Sequence, residues 1–174
     1  VSTPAAFTKD PSVSLTITAE DGSLVTVAGG AVVVTSTAST IVLSVPLTPN
    51  ALNPLSVTAR DAAGNVSSAI ARPTTHDSIP PAAPVVSTPP ASLSDTSVTL
   101  TVKAEAGSTM TVTGGASLVT KKATGGDDAI VVPLKSGANT LLVKATDAAG
   151  NDSPVVTRSV EVVTDAPSAP GGAG

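Results

Sequence analysis

Few residues in this 174-residue chain could do chemistry, and most of them recur at turns. The one histidine, His76, stands beside Asp77 in a polar stretch. General acid–base work needs a pocket and partners placed around the imidazole, and His76 reads instead as a solvated linker residue. Carboxylates that could pair for glycoside hydrolysis lie in repeated turns, and no aromatic wall exists to hold a sugar: the chain has one Phe, Phe7, and neither Tyr nor Trp. Ser and Thr are plentiful, but no Gly-x-Ser-x-Gly elbow presents one of them as a nucleophile. Gly-Gly occurs at Gly29–Gly30, Gly114–Gly115 and Gly125–Gly126, without the following Lys-Ser/Thr of a phosphate loop. The absence of cysteine excludes thiolate metal sites and cysteine nucleophiles. The expectation is a chain that is not an enzyme.

Charge narrows the partners. The formal net charge is −4 with 13% charged residues, and the only basic doublet is Lys121–Lys122. This is no footprint for a phosphate backbone, so nucleic acid is not expected as a partner. No apolar run reaches the roughly 18 residues of a membrane-spanning helix, and no membrane insertion is expected. The chain starts at Val1 with neither Met nor a signal-peptide pattern, which fits a processed product or an excised fragment.

The elements that must carry these residues are written twice. VSLTITAEDGSLVTVAGG at Val13–Gly30 returns as VTLTVKAEAGSTMTVTGG at Val98–Gly115, and LSVTARDAAGNVS at Leu55–Ser67 returns as LLVKATDAAGNDS at Leu141–Ser153, at offsets of 85 and 86 residues. A period of that length is a domain, not a solenoid repeat. Val13, Leu15, Ile17 and Ala19 alternate with hydroxyl residues, and Val98, Leu100, Val102 and Ala104 repeat the phase, which is the pattern of a half-buried strand. A hairpin through Gly-Gly follows in each copy. Next comes a strand (Leu43, Val45, Leu47; Ile130, Val132, Leu134) carrying Pro46 or Pro133, which places it at an edge or bulge. The penultimate strand (Leu55, Val57, Ala59; Leu141, Val143, Ala145) ends in Asp-Ala-Ala-Gly-Asn, which is turn chemistry. Final strands are expected near Val66–Ala71 and Val155–Val163, and no helical periodicity intervenes. The fold class is all-β: two tandem sandwiches, residues 1–76 and 77–165, with a flexible tail at 166–174. Arg72–Pro84, with Pro73, Pro80, Pro81 and Pro84, reads as a semi-rigid linker.

Taken together, the Pro-rich starts, the VTVT-like strands and the ARDAAGNVS (Ala59–Ser67) and ATDAAGNDS (Ala145–Ser153) segments resemble the bacterial immunoglobulin-like domains of large secreted and cell-surface proteins. The resemblance covers about residues 8–163 and includes a linker like Asp-x-x-Pro-Pro at Asp77–Pro81. It implies an extracellular or cell-surface location and a non-catalytic stalk or spacer of an adhesin-like protein. One alternative is a protein- or glycan-binding adhesion module using the loops that differ between copies, Thr35–Thr40 and Lys121–Asp128. Another is a pair of accessory domains of a secreted hydrolase. Neighbouring domains of a longer chain are the implied partners, an extracellular protein or glycan the implied ligand, and a monomer the expected state. Some relatives bind calcium near domain junctions, and the matching carboxylates here are Glu20, Asp21, Asp61, Asp77, Glu105 and Asp147. Calcium takes about six to eight oxygen ligands. The competing reading makes these six turn residues and solvated charges, with no cofactor.

Overall fold

The computed structural model describes residues 1–31, 34–37 and 39–163; the expected tail at 166–174 and part of the 35–40 loop lie outside them. Every regular element among the described residues is a strand. The chain divides into two compact units, Val1–Ile79 with Ala148–Asn151, and Pro80–Asp147 with the described residues from Asp152 on.

The first unit contains β1 (Phe7–Thr8), β2 (Ser12–Thr18), β3 (Leu24–Ala28), β4 (Val34–Ser36), β5 (Thr40–Pro46), β6 (Ala51–Asn53), β7 (Ser56–Arg60), β8 (Ile70–Ala71) and β9 (Thr74–His76). β2 pairs with β5, and the facing sheet runs β4-β3-β7-β8, with β1-β9-β6 as a short third group. Leu15 and Ile17 of β2 and Val45 of β5 meet Val25 and Val27 of β3 and Leu55 and Val57 near or on β7 in one buried cluster. The alternation read from the sequence therefore points inward as expected.

The second unit contains β10 (Val85–Val86), β11 (Ser92–Leu93), β12 (Ser97–Lys103), β13 (Thr109–Thr113), β14 (Val119–Lys122), β15 (Asp128–Pro133), β16 (Gly137–Thr146) and β17 (Val156–Val162). Its sheets are β10-β12-β15 and β11-β17-β16-β13-β14. Leu100, Val102, Ile130 and Val132 from the first pack on Met110, Val112, Leu141 and Val143 from the second. Pro46 and Pro133 lie on edge strands, each opposite a serine, Ser12 and Ser97. A proline there leaves no ladder donor missing.

Each Gly-Gly does more than turn the chain. A Cβ on Gly114 would lie 1.9 Å from the Thr140 carbonyl oxygen, and one on Gly115 would lie 2.4 Å from that of Pro133. In the first unit Gly29 meets Pro54 O and Gly30 meets Pro46 O in the same way. The first glycine also has positive φ, 90° at Gly29 and 91° at Gly114.

A proline pair separates the copies. In the second unit Thr140 faces Ser159 in the unbroken pairing of β16 with β17. The counterparts in the first unit are Pro54 and Pro73, and there the same pairing is split into β6–β9 and β7–β8. Arg72–His76, read as the start of the linker, thus belongs to the sandwich: Arg72 N–H donates to Leu55 O at 2.7 Å, and Thr74–His76 pair with β6. Beside each pairing a buried asparagine closes the preceding turn. Asn53 accepts Thr48 N–H at 2.7 Å, and Asn139 accepts Lys135 N–H at 2.9 Å.

Gly114→Ala is expected to destabilise the second unit by about 3 kcal/mol, combining backbone strain with a clash. Gly107→Ala, also at positive φ but with nothing within 4 Å, should cost about 1 kcal/mol. Denaturant titration followed by amide signals of that unit checks the difference.

Candidate functional site

A concavity in the first unit lies at the end of its sandwich where β2 and β7 finish and β3 begins. It measures about 600 Å³. Ile17, Val25, Val57 and Ala59 form an apolar floor, and Thr18, Glu20, Asp61, Asn65 and Ser67 supply polar groups around it. The floor exists because the inward residues of facing strands reach this end of the core. The rim is polar because the Asp-Ala-Ala-Gly-Asn turn begins here.

That turn is closed on itself. Asp61 Oδ1 accepts Asn65 N–H and Oδ2 accepts Asn65 Nδ2, each at 2.8 Å, while Gly64 N–H donates to Asp61 O at 3.1 Å. Donation from the Asn65 side-chain amide, then from its backbone N–H, holds the Asp61 carboxyl below its ordinary value. Ser67 Oγ accepts Ala59 N–H at 3.0 Å and donates to Ser68 O at 3.1 Å, so this hydroxyl fastens the strand end. No residue around the cavity forms a nucleophile–base pair, and His76 is not among them.

Three of the six candidate carboxylates, Glu20, Asp21 and Asp61, line an adjoining depression of about 300 Å³. Among the described residues no group of three or more His, Cys, Asp or Glu is placed to hold a metal ion. The other three lie elsewhere. Asp77 Oδ1 accepts Ile79 N–H at 3.0 Å, the Glu105 carbonyl accepts Ser108 N–H and Oγ, and Asp147 lies in the second unit.

His76 is not the solvated linker residue expected from the sequence. It ends β9, is 5% exposed, and its Nδ1 accepts Asn50 N–H at 2.9 Å. Asn50 itself has φ 50° and accepts Ser78 N–H at 2.9 Å through Oδ1. The histidine is a buried acceptor that fixes a left-handed turn. Its neighbours Thr74 and Thr75 alternate too briefly with it for the pattern to show a strand.

The divergent loop of the second copy is also partly structural. Asp128 is 4% exposed, accepts Thr124 N–H at 2.8 Å and Thr124 Oγ1 at 3.1 Å, and lies 3.3 Å from Lys121 Nζ. The Thr124 backbone donor, then Lys121, holds its carboxyl below the ordinary value. Asp127 stays exposed.

Two sandwiches with these sheet orders place the chain among known folds. The fibronectin(III)-like modules of Clostridium thermocellum CbhA superpose with a TM-score of 0.64 at 10% identity, over 92% of this chain and 90% of that one. The fold is a tandem immunoglobulin-like, fibronectin(III)-like sandwich. The FN1–FN3 domains of chicken CNTN1 give 0.51 at 13% identity over 92% of this chain, which spans 66% of theirs. No protein-family model matches, and no curated protein does. At such identities the likeness concerns the sandwich alone. These tandem sandwiches carry no membrane-crossing helix among the described residues.

Lowered folded-state values for Asp61 and Asp128 mean that each stabilises its sandwich above the unfolded value, 3.8, and that this is lost as pH falls through the folded value. The thermal midpoint should therefore drop below about pH 4, and Asp128→Asn should flatten that limb for the second unit. His76→Ala should destabilise the first unit by about 2 kcal/mol, because Asn50 N–H loses its acceptor; thermal unfolding reads both effects.

Proposed function

We propose that the chain is a non-catalytic, load-bearing spacer of an extracellular bacterial surface protein, its two sandwiches acting as links of a stalk. The observation that carries this is the parallel pairing of a strand near the start of each unit, β1 or β11, with the last strand of that unit, β9 or β17. Phe7 and Thr8 lie against Thr75 and His76, and Ser92 and Leu93 against Glu161 and Val162. Thr75 N–H donates to Ala6 O and Asp77 N–H to Thr8 O, both at 2.9 Å; Glu161 N–H donates to Ala91 O at 3.0 Å and Val163 N–H to Leu93 O at 2.9 Å. When parallel terminal strands are pulled from opposite ends, their bonds are sheared together instead of opened in turn. An antiparallel closure would unzip.

Low charge, a surface of small hydroxylated residues and an almost complete lack of aromatics suit a spacer better than a recognition face, since Trp, Tyr and Arg dominate binding hot spots. The extracellular setting rests on the resemblance described above and on the modular nature of the fold.

Single-molecule stretching between the chain ends tests the reading. Each unit should unfold in one cooperative event, and Glu161→Pro, which removes the donor to Ala91 O, should lower the unfolding force of the second unit while leaving the first unchanged. Unfolding of both units at forces insensitive to this substitution, or specific binding to extracellular glycans or proteins that survives it and depends on the 121–128 loop, would favour an adhesion module instead.

A further inference from the structure

The two copies differ at the edge strand that follows the Gly-Gly hairpin. β5 and β15 are counterparts, and among the described residues each pairs on one side only, with β2 or β12. Ser39 O accepts Ala19 N–H at 2.8 Å and Leu47 N–H donates to Pro11 O at 2.9 Å, so the odd-numbered residues of β5 turn their backbone groups to β2. Bonding direction alternates along an antiparallel strand, and Thr40, Val42 and Ser44 therefore turn theirs outward. Leu134 N–H donates to Thr96 O, and the same parity turns Ala129 and Val131 outward in β15.

In the second unit this edge is covered. Lys121 Nζ donates to Ala129 O at 3.1 Å and lies 3.3 Å from the Asp128 carboxylate. Asp128 and Ile130 are 4% and 2% exposed. In the first unit Ser36 takes the place of Lys121, and Val42 that of Ala129. Ile41 and Leu43, in the places of Asp128 and Ile130, are only partly buried against the core, and Val42 is 68% exposed. No residue between Asp21 and Arg60 is charged, so this stretch holds no lysine to blunt the edge.

We propose that the outer edge of β5 is a self-association surface, and that its partner is β5 of a second copy of the chain, paired antiparallel across a two-fold axis at Val42. In that register Val42 faces Val42, Thr40 faces Ser44, and Ile41 faces Leu43 of the other copy. Hydroxyls meet hydroxyls, aliphatic side chains meet aliphatic ones, and the outward-turned residues are those that exchange N–H···O bonds. Neighbouring registers lose this match. A two-fold at Ser44 sets Val42 against Pro46, which has no N–H and whose carbonyl Ala31 already takes. A two-fold at Thr40 sets Ile41 against Ser39 and Leu43 against Thr37. Two copies of net charge −4 repel as wholes, but this strand contributes none of that charge, so like meets like here without opposition. One pair of seven-residue strands makes a contact below the roughly 1,200 Å² of a stable interface, so the dimer is weak and concentration-dependent. The monomer expected from the sequence is its dilute form. This goes beyond the spacer reading and stands on its own observations.

Sedimentation velocity and NMR-detected amide exchange on the full chain, from micromolar to millimolar concentration, test it. A dimer should accumulate with concentration, and exchange at Thr40, Val42 and Ser44 should slow in step with it while Ala129 and Val131 exchange at the same rate throughout. Val42→Lys, which sets two lysines directly opposite across the axis, should abolish both effects without shifting the thermal midpoint. Ser36→Lys, which places a lysine where Lys121 stands, should give the same loss. Val131→Lys, on the covered edge, should leave the dimer intact. A chain that is monomeric at every concentration, amides at Thr40, Val42 and Ser44 that are protected at every dilution by the chain itself, a dimer that survives Val42→Lys and Ser36→Lys, or one that Val131→Lys removes equally would overturn the proposal.

Discussion

Each sandwich depends on a place where its two sheets are held together by backbone alone. The first glycine of each Gly-Gly abuts the carbonyl that precedes Leu55 or Leu141, and the second abuts the carbonyl of Pro46 or Pro133 on the opposite sheet. Ala31 N–H and Ala116 N–H then donate to those same proline carbonyls, at 2.9 and 2.8 Å. No side chain fits in that gap, so the turn that joins two strands of one sheet presses directly on the backbone of the other. With one aromatic residue in the chain, the cores are filled by Leu, Val and Ile, with Met110 and Ala123 in the second unit, and a thin aliphatic core tolerates little slack at its ends. The glycine pinch and the buried Asn53 and Asn139 fix those ends with contacts that depend on direction, where the core supplies only volume.

The proline pair shows how one scaffold tolerates a local break. Leu55 and Arg72 keep their backbone bond beside Pro54 and Pro73, so the split pairing retains the register that β16 and β17 hold without interruption. Residues that lack an N–H can face one another only where the ladder asks for no donor between them. The bond from Arg72 to Leu55 puts the prolines one step away, at the position whose amides point outward. The break therefore divides the strand without shifting either half, and β9 still reaches β1 to close the unit in parallel.

Strand phase, the edge placement of Pro46 and Pro133, and the Asp-Ala-Ala-Gly-Asn turn were legible because each is a local matter of alternation, a missing donor or a side chain bonding its own backbone. His76 was not, since a single polar residue between Thr75 and Asp77 carries no period, and its burial is tied to Asn50, 26 residues earlier in the chain. Asp128 looked like loop charge because Lys121 and Thr124, which satisfy it, are themselves polar neighbours.

A chain poor in charge, in rings and in nucleophiles has little with which to recognise a partner except its main chain. Main-chain recognition needs an open edge, a neighbouring recess for side chains and a partner that is already extended. The first unit has a recess floored by Ile17, Val25 and Val57.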